Sequence, residues 1–154
     1  MQPEIEGFIR KIKELGYAVK LDTNGSYPEK LKQLVQEGLV DYVAMDIKNS
    51  LDVYDMTAGT DGSFLEAVKE SVSFLKKGTV PYEFRTTVTK NFHQKENFVK
   101  IGEWLQGAEK YFLQSFVDSG DLICPNVKGC DEKEMKAFLS IAKDYIPNAS
   151  VRGI

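Results

Sequence analysis

The stretch "KLDTNGSYPEKL", residues 20–31, joins a predicted strand to a predicted helix and indicates how the chain folds. The apolar segment 17–21 predicts a short buried strand, and Ser26 with Glu29 has the spacing of a capping box at a helix start. Between them stand four residues that end the strand: Asp22, Thr23, Asn24 and Gly25. Because asparagine and glycine favour tight turns, these residues fit an ordinary turn as well as one edge of a binding site.

The same strand–loop–helix order recurs along the chain and predicts an α/β domain. The predicted strands are residues 17–21, 40–45, 81–88, 111–116 and 149–152. The predicted helices are residues 4–15, a second from Ser26 to Gly38, a third from a repeated capping box at Ser63 and Glu66 to Gly78, a fourth that ends at Gly107, and a fifth from Asp131 to about Tyr145. Alternating helices and strands predict a parallel sheet with right-handed crossovers.

Composition narrows the possible functions of the chain. Its 154 residues suit a single domain, and 42% hydrophobic with 28% charged residues is typical of a globular protein. A net charge of −3 gives no basic surface for nucleic acid or for an anionic membrane. No apolar run approaches the roughly 20 residues that a membrane span needs, and the N-terminus does not resemble a signal peptide.

The scarcity of cysteine and histidine excludes most metal and triad chemistry. Cys124 and Cys130 are the two cysteines, which argues against a disulfide framework and for a reducing, cytoplasmic environment. Two thiolates alone make a poor zinc site, since a closed tetrahedral site needs four ligands. The single histidine, His93, lies in a polar segment and is interpreted as a solvated loop residue.

Polar residues follow the predicted strands at their carboxyl ends, where parallel α/β proteins bind their ligands. If the sheet is parallel, four strand ends therefore bring polar groups to one edge. These groups are Asp22-Thr23-Asn24-Gly25, Asp46-Ile47-Lys48-Asn49, Arg85-Thr86-Thr87 with Thr89-Lys90, and Gln114-Ser115 with Asp118.

Three charged residues at this edge have both a structural and a functional interpretation. Asp46 follows an apolar run, and a carboxylate at that depth needs a partner or a cation. Lys48 points to the same side as Asp46 in an extended segment, so an internal ion pair or a site for a zwitterion or cation both fit. Arg85 lies within a strand, where it either pairs with Asp46 or Asp22 or binds a ligand hydroxyl or carboxylate.

Other residues that attract attention have a simpler structural interpretation. Thr86 and Thr87 are good strand formers, so each taken alone is interpreted as structural. The remaining aromatic residues near the strands are expected in the core rather than in a stacking platform: Phe84, Trp104, Phe112 and Phe116.

Four segments, in this order and spacing, resemble the later strands of radical S-adenosylmethionine (SAM) enzymes: VKLDTNG, LVDYVAMDIK, YEFRTTV and YFLQSF. The greatest similarity is to activating enzymes of glycyl-radical proteins, particularly anaerobic ribonucleoside-triphosphate reductase activating proteins, with pyruvate formate-lyase activating enzymes as close relatives. The resemblance covers essentially the whole chain. It implies that residues 1–154 form a single truncated domain, the C-terminal portion of a partial (β/α)6 barrel.

The resemblance also implies which cofactors the parent protein uses. In that family a Cys-x3-Cys-x2-Cys loop holds a [4Fe–4S] cluster, and a Gly-Gly-Glu segment binds the amino group of SAM. Neither segment occurs in this sequence, and Cys124 and Cys130 have a different spacing. The chain taken by itself is therefore expected to lack the cluster and to be inactive.

The resemblance assigns roles at the strand ends. Asp22 and Thr23 would lie near the SAM carboxylate, with a monovalent cation between Asp22 and Asp46. Lys48 would reach SAM or the substrate peptide, and Arg85 the ribose or the carboxylate of SAM. The full set of expected cofactor-binding residues is Asp22, Thr23, Asn24, Asp46, Lys48, Arg85, Thr87 and Gln114, with Gln114 beside the adenine. Val117 stands where relatives carry a histidine, so that contact is not expected here.

The implied parent reaction is reductive cleavage of SAM to methionine and a 5′-deoxyadenosyl radical, which takes a hydrogen atom from a glycine of the partner enzyme. Two alternatives remain open: a receiver-type phosphoacceptor built from Asp22, Asp46, Thr87 and Lys90, and an interaction module that binds no SAM. Loss of the first two βα units would expose the edge of strand 17–21 and an apolar inner sheet face, which favours self-association.

Overall fold

A computed structural model describes residues 4–118, 120 and 126–153 of the chain. Its sheet has five parallel strands in the order β1-β2-β3-β4-β5. The strands are β1 Lys20–Thr23, β2 Tyr42–Asp46, β3 Tyr82–Val88, β4 Tyr111–Ser115 and β5 Ala149–Arg152. The predicted α/β class and parallel sheet are confirmed.

Six α-helices alternate with these strands in the described part of the chain. They are α1 Ile5–Glu14, α2 Pro28–Gln36, α3 Tyr54–Ala58, α4 Leu65–Leu75, α5 Lys95–Leu105 and α6 Glu132–Tyr145. A 3₁₀ turn at Leu51–Val53 precedes α3, and the sequence pattern did not predict either of these short elements. None of the helices in the described ranges has the length and hydropathy that a bilayer crossing requires.

The two predicted capping boxes are wrong. The N-cap residues are Tyr27 for α2 and Phe64 for α4, and neither makes a side-chain cap. Ser26 instead donates its hydroxyl to Asn24 Oδ1 at 2.7 Å, because α2 begins one residue later than predicted, with Pro28 at its first position. Reciprocal capping boxes occur at α5 and α6.

The consecutive strand order places the helices on one side of the sheet, since right-handed crossovers between successive neighbours all lie on the same face. A receiver-type sheet is doubly wound with the order 2-1-3-4-5 and carries helices on both faces. The receiver alternative is therefore wrong. A singly wound parallel sheet is part of a barrel, and its free face corresponds to the barrel interior.

The two faces of the sheet differ in chemistry. The outer face, which packs against the helices, presents buried side chains such as Val43, Met45, Phe84 and Leu113. Strand register places the following residues together on the inner face: Lys20, Asp22, Tyr42, Ala44, Asp46, Glu83, Arg85, Thr87, Phe112, Gln114, Ser150 and Arg152. This face is charged, so the expectation of an apolar inner face is wrong, and Phe112 lies there rather than in the core.

Strand β1 pairs only with β2 and forms one edge of the described sheet, as expected. Its ladder begins at Lys20 rather than at Tyr17. Val19, just before it, donates its backbone N–H to the Asp41 side chain at 2.6 Å and accepts a bond from the Asp41 backbone N–H at 2.9 Å. Lys13 binds the same carboxylate, which ties α1 to the entry of β2.

Candidate functional site

Arg85 lies at the centre of the carboxyl edge and joins two acidic residues from neighbouring strands. It is the register partner of Asp46, and its Nε and Nη2 both donate to Asp46 Oδ1, at 3.0 and 2.9 Å. Its Nη1 donates to Asp22 Oδ2 at 3.2 Å. Burial disfavours the guanidinium charge, but Asp46 and then Asp22 outweigh it and raise the pKa of Arg85. Arg85 therefore pairs with both Asp46 and Asp22, the two partners that the sequence suggested as alternatives.

The guanidinium of Arg85 occupies the position expected for a monovalent cation between Asp22 and Asp46. Lys48 adds a second positive charge, with its Nζ 3.4 Å from Asp46 Oδ2. Three of the five guanidinium N–H groups bond to these carboxylates, and within the described residues the other two donors have no acceptor. Asp22 is open to solvent, with 62% of its side chain exposed, so this charged array is accessible from the inner face.

The loop after β1 makes the hydrogen bonds of a tight turn. The Gly25 N–H donates to Thr23 Oγ1 at 3.1 Å, and the Ser26 N–H donates to Asn24 Oδ1 at 3.1 Å. Gly25 has φ +76°, a backbone conformation that other residues rarely adopt, so a side chain at this position would be strained. The ordinary-turn interpretation of this tetrapeptide is confirmed, and the turn holds Asp22 next to Arg85.

The other predicted site residues lie on the inner face and make no hydrogen bond to the array within the described residues. Thr87 and Gln114 are register partners, and Thr87 is exposed. Thr86 points outward, donates to the Ile47 carbonyl at 2.8 Å and accepts from the Tyr111 hydroxyl at 2.8 Å. The structural interpretation of Thr86 is confirmed.

Sequence reasoning missed Glu83, the most buried carboxylate on the inner face. Its side chain is 3% exposed and accepts bonds from three strands: Lys20 of β1 at 3.1 Å, Tyr42 of β2 at 3.1 Å, and Arg152 of β5 at 3.0 and 3.1 Å. Burial would raise its pKa, but the bonds from Arg152, Lys20 and Tyr42 lower the pKa of Glu83 to about 2. A charged residue in an apolar strand was the available signal.

Arg152 reaches Glu83 across the intervening strand β4. Its guanidinium lies 3.3 Å from the ring centroid of Phe112, the residue that is in register with Arg85. The inner face therefore has two polar rows. The lower row consists of Lys20, Tyr42, Glu83 and Arg152, and the upper row of Asp22, Asp46, Lys48 and Arg85.

The interpretation of His93 as a solvated loop residue is wrong. His93 is 2% exposed, its Nδ1 accepts from the Thr89 N–H at 3.2 Å, and its Nε2 lies 3.0 Å from the Lys48 carbonyl oxygen. Nε2 therefore carries the hydrogen, and burial lowers the pKa of His93. Buried Asn49 donates to Thr57 and to the Phe92 carbonyl, so a polar network fixes the segment that carries Lys48.

In the described part of the structure two large cavities open beside the upper row, and a smaller one of about 150 Å³ is lined by Asp46, Lys48, Thr87 and His93 among others. One of about 490 Å³ is lined by Asp22, Asp46 and Arg85 with apolar side chains of α1, β1 and α2. The other, of about 310 Å³, lies between the loop after β1, α3 and the start of α4, and includes Lys48 and Tyr54. Both have the size of small-molecule sites, and the loop after β1 separates them.

The chain's cysteines do not fit an iron–sulfur cluster. Cys130 is half-buried, and burial raises the pKa of its thiol, while Cys124 lies outside the described residues. No group of three metal-ligating side chains occurs within residues 4–118 and 126–153. With two cysteines in the whole sequence, the thiolate ligands of a [4Fe–4S] cluster are not all available from this chain.

No protein-family model matches the chain. It is 32% identical over 150 residues to MJ1227 of Methanocaldococcus jannaschii, a protein provisionally named a glycyl-radical enzyme activating enzyme. The match covers 94% of this chain and 62% of the relative, so the chain spans about three fifths of the relative's length. The chain is thus similar, over most of its own length, to a protein with this provisional name. The resemblance noted in its strand-end motifs is confirmed.

Two solved structures share the fold of this chain. A domain of pyruvate-formate lyase-activating enzyme from Bacteroides vulgatus superposes with a TM-score of 0.75 at 14% identity, over 96% of this chain and 88% of that one. Streptococcus suis SuiB superposes with a TM-score of 0.71 at 13% identity, over 98% of this chain and 36% of that one. At these identities the likeness concerns the fold, and it confirms the partial (β/α) barrel.

Proposed function

We propose that the chain is the C-terminal, SAM-binding portion of an activating protein for a glycyl-radical enzyme, of the anaerobic ribonucleoside-triphosphate reductase type. The observation that carries the proposal is the Asp22–Arg85–Asp46 array at the carboxyl edge of a singly wound parallel sheet. The 32% identity to an activating-enzyme relative supports it. A pyruvate formate-lyase type of partner is the alternative within the same class.

The residues of the array suit the two charges of the amino-acid end of SAM. The two guanidinium donors of Arg85 that the carboxylates leave over are available to an anionic carboxylate. The exposed Asp22 carboxylate and Asp46 are available to a positively charged group. We therefore assign Asp22, Asp46 and Arg85 to the amino-acid end, with Lys48 beside it. Thr23, Asn24, Thr87 and Gln114 are assigned to the remaining surface of the ligand.

In the parent protein, SAM supplies a 5′-deoxyadenosyl radical when a reduced cluster cleaves it, and the radical takes a hydrogen atom from a partner glycine. This chain's residues contribute binding and orientation, because the array fixes charges at the strand ends. The thiolates that hold the cluster do not come from this chain, so we propose that the chain alone does not cleave SAM. We also propose that residues 1–154 form one piece of a single longer domain.

Calorimetric titration with millimolar SAM tests the binding proposal. The chain is expected to bind SAM, and Arg85→Gln is expected to weaken binding by about tenfold or more, since a hydrogen bond to a charged group is lost. Arg10→Gln is the matched control, because Arg10 pairs with Glu6 and Glu37 on the surface of α1 and α2. Absence of SAM binding by the folded chain would leave the interaction-module alternative in place.

Anaerobic reconstitution tests the proposal that the chain alone is inactive. With iron, sulfide, a strong reductant and SAM, the chain is expected to show no [4Fe–4S] spectrum and to release no 5′-deoxyadenosine. A cluster spectrum with stoichiometric 5′-deoxyadenosine would contradict the proposal. Sequencing of the DNA upstream of the first codon tests the domain proposal, since a Cys-x3-Cys-x2-Cys and a Gly-Gly-Glu segment are expected there.

A further inference from the structure

Glu83 and Arg85 have opposite charges and lie two residues apart on the same face of β3, yet they do not pair. Residues two apart in a strand are about 7 Å apart along it, so a long arginine side chain can reach its acidic neighbour. Arg85 points instead to Asp46 and Asp22. The lower row explains why, because every bond that Glu83 accepts in the described structure comes from another strand.

The Glu83 carboxylate is occupied on both oxygens. Lys20 and one Arg152 nitrogen bond to Oε1, and Tyr42 with the other Arg152 nitrogen bonds to Oε2. With a side chain that is 3% exposed, Glu83 has no solvent to satisfy it if these donors leave. A buried carboxylate without partners is costly, and two cations remain near it: Arg85, two residues further along β3, and Lys110, whose Nζ lies 5.6 Å from the centroid of the Tyr42 ring.

Arg152 also brings a like charge towards the segment that carries Arg85. Its guanidinium carbon lies 3.3 Å from the centroid of the Phe112 ring, and Phe112 is in register with Arg85 on the neighbouring strand. The same guanidinium bonds to both oxygens of Glu83. Like charges repel, so Arg85 is driven towards the strand ends.

We propose that Lys20 and Arg152 are positioning residues: by saturating Glu83, they keep the guanidinium of Arg85 directed at Asp22 and Asp46 and free to receive the ligand. The expected effect on SAM affinity rests on the proposed function. The expected effect on the direction of the Arg85 side chain does not depend on any ligand. Neither Lys20, Glu83 nor Arg152 touches the ligand in this proposal.

The test compares three variants by ¹⁵N NMR of the Arg85 Nε–H and by calorimetry with SAM. All variants and the control carry Lys110→Met, so that Lys110, which lies over the Tyr42 ring, cannot replace the removed donors. In this background Lys20→Met/Arg152→Met frees Glu83, so the Arg85 signal is expected to shift and exchange faster with water, and SAM affinity to fall about tenfold. Adding Glu83→Gln to this pair removes the competing charge. The triple variant is expected to restore the Arg85 signal and to bring the affinity back to within about threefold.

The matched control is Arg10→Met/Lys30→Met, which removes one arginine and one lysine from Glu6, a carboxylate of α1 that bonds to neither row in the described structure. It is expected to leave the Arg85 signal and SAM affinity unchanged. If the Lys20/Arg152 variant does not fold, Arg152→Met alone can be used, because it removes two of the four bonds to Glu83. It is expected to shift the Arg85 signal in the same direction but by a smaller amount.

Two results would overturn the inference: an unchanged Arg85 signal in the folded Lys20/Arg152 variant, or no recovery in the folded triple variant. If Lys20 and Arg152 had only a structural role, the triple variant would show no recovery, because the third substitution would remove further bonds. If the Arg85 signal follows the expected pattern while no variant binds SAM, the positioning role stands and the proposed function fails.

Discussion

The two sides of strand β3 differ in how their side chains are held. The outward residues Tyr82, Phe84 and Val88 are buried among apolar neighbours from the helices. The inward residues Glu83 and Arg85 are held by ionic bonds to side chains from other strands. Packing holds one face and charge pairing holds the other, so substitutions at alternate positions of one strand should separate stability from binding.

Phe84→Ala is expected to have the largest effect on stability, because it removes a fully buried ring from the outer face. A loss of about 3–5 kcal/mol in the free energy of unfolding is expected, from lost burial and the cavity left behind. Urea denaturation measures it, with the exposed Thr87→Ala on the same strand as the control, expected within about 0.5 kcal/mol. Equal losses in the two variants would contradict the division between the faces.

Glu83→Gln should remove a pH-dependent part of the stability. The pKa of Glu83 is lowered from 4.5 to about 2 in the folded chain. Its stabilisation is therefore fully present above pH 4.5 and is lost as the pH falls towards 2, with an upper limit of about 3 kcal/mol.

Urea denaturation between pH 2.5 and 7 would measure this effect, with the difference between the wild-type chain and the variant shrinking as the pH falls. Glu66→Gln is the control, since Glu66 forms an exposed pair with Lys69. A difference that stays constant over this pH range would show that the Glu83 charge does not stabilise the inner face.

Substitution of His93 should give the smallest change in stability. This buried side chain contacts the backbone carbonyl of Lys48 through its Nε2. Burial lowers the pKa of His93, so the unfolded chain binds a proton first, and stability is lost as the pH falls below 6.5. His93→Gln is expected to flatten the stability profile between pH 7.5 and 5. NMR titration of the imidazole should give a pKa below 6.5, and a value above it would contradict the buried, neutral state.

Much of the fold was readable because its signals are local. Helical and strand periodicities predicted each of the long elements to within a few residues, and the parallel sheet followed from their alternation. The short helix α3 and both helix starts at Tyr27 and Phe64 were not predicted, because a single turn has little periodicity and Pro28 competes with Ser26 as a start signal.

The candidate site was readable only in part. Asp22, Asp46 and Arg85 were expected at one edge, and the structure brings them into contact. Glu83 and His93 were missed or misinterpreted, since nothing within their own segments shows that partners from distant strands bury them. The Arg85 guanidinium bonds to both of these carboxylates, because Arg85 is in register with Asp46 and Asp22 lies on the next strand.

By itself the sequence determined that the chain alternates helices and strands and that acidic and basic residues follow the strands, since both depend on neighbouring residues. Only the tertiary structure decided which charges pair. Arg85 meets Asp46 and Asp22 over separations of 39 and 63 residues, and Arg152 meets Glu83 over 69. Strand order and register set those pairings, and the helices that pack on the outer face determine which side chains turn inward.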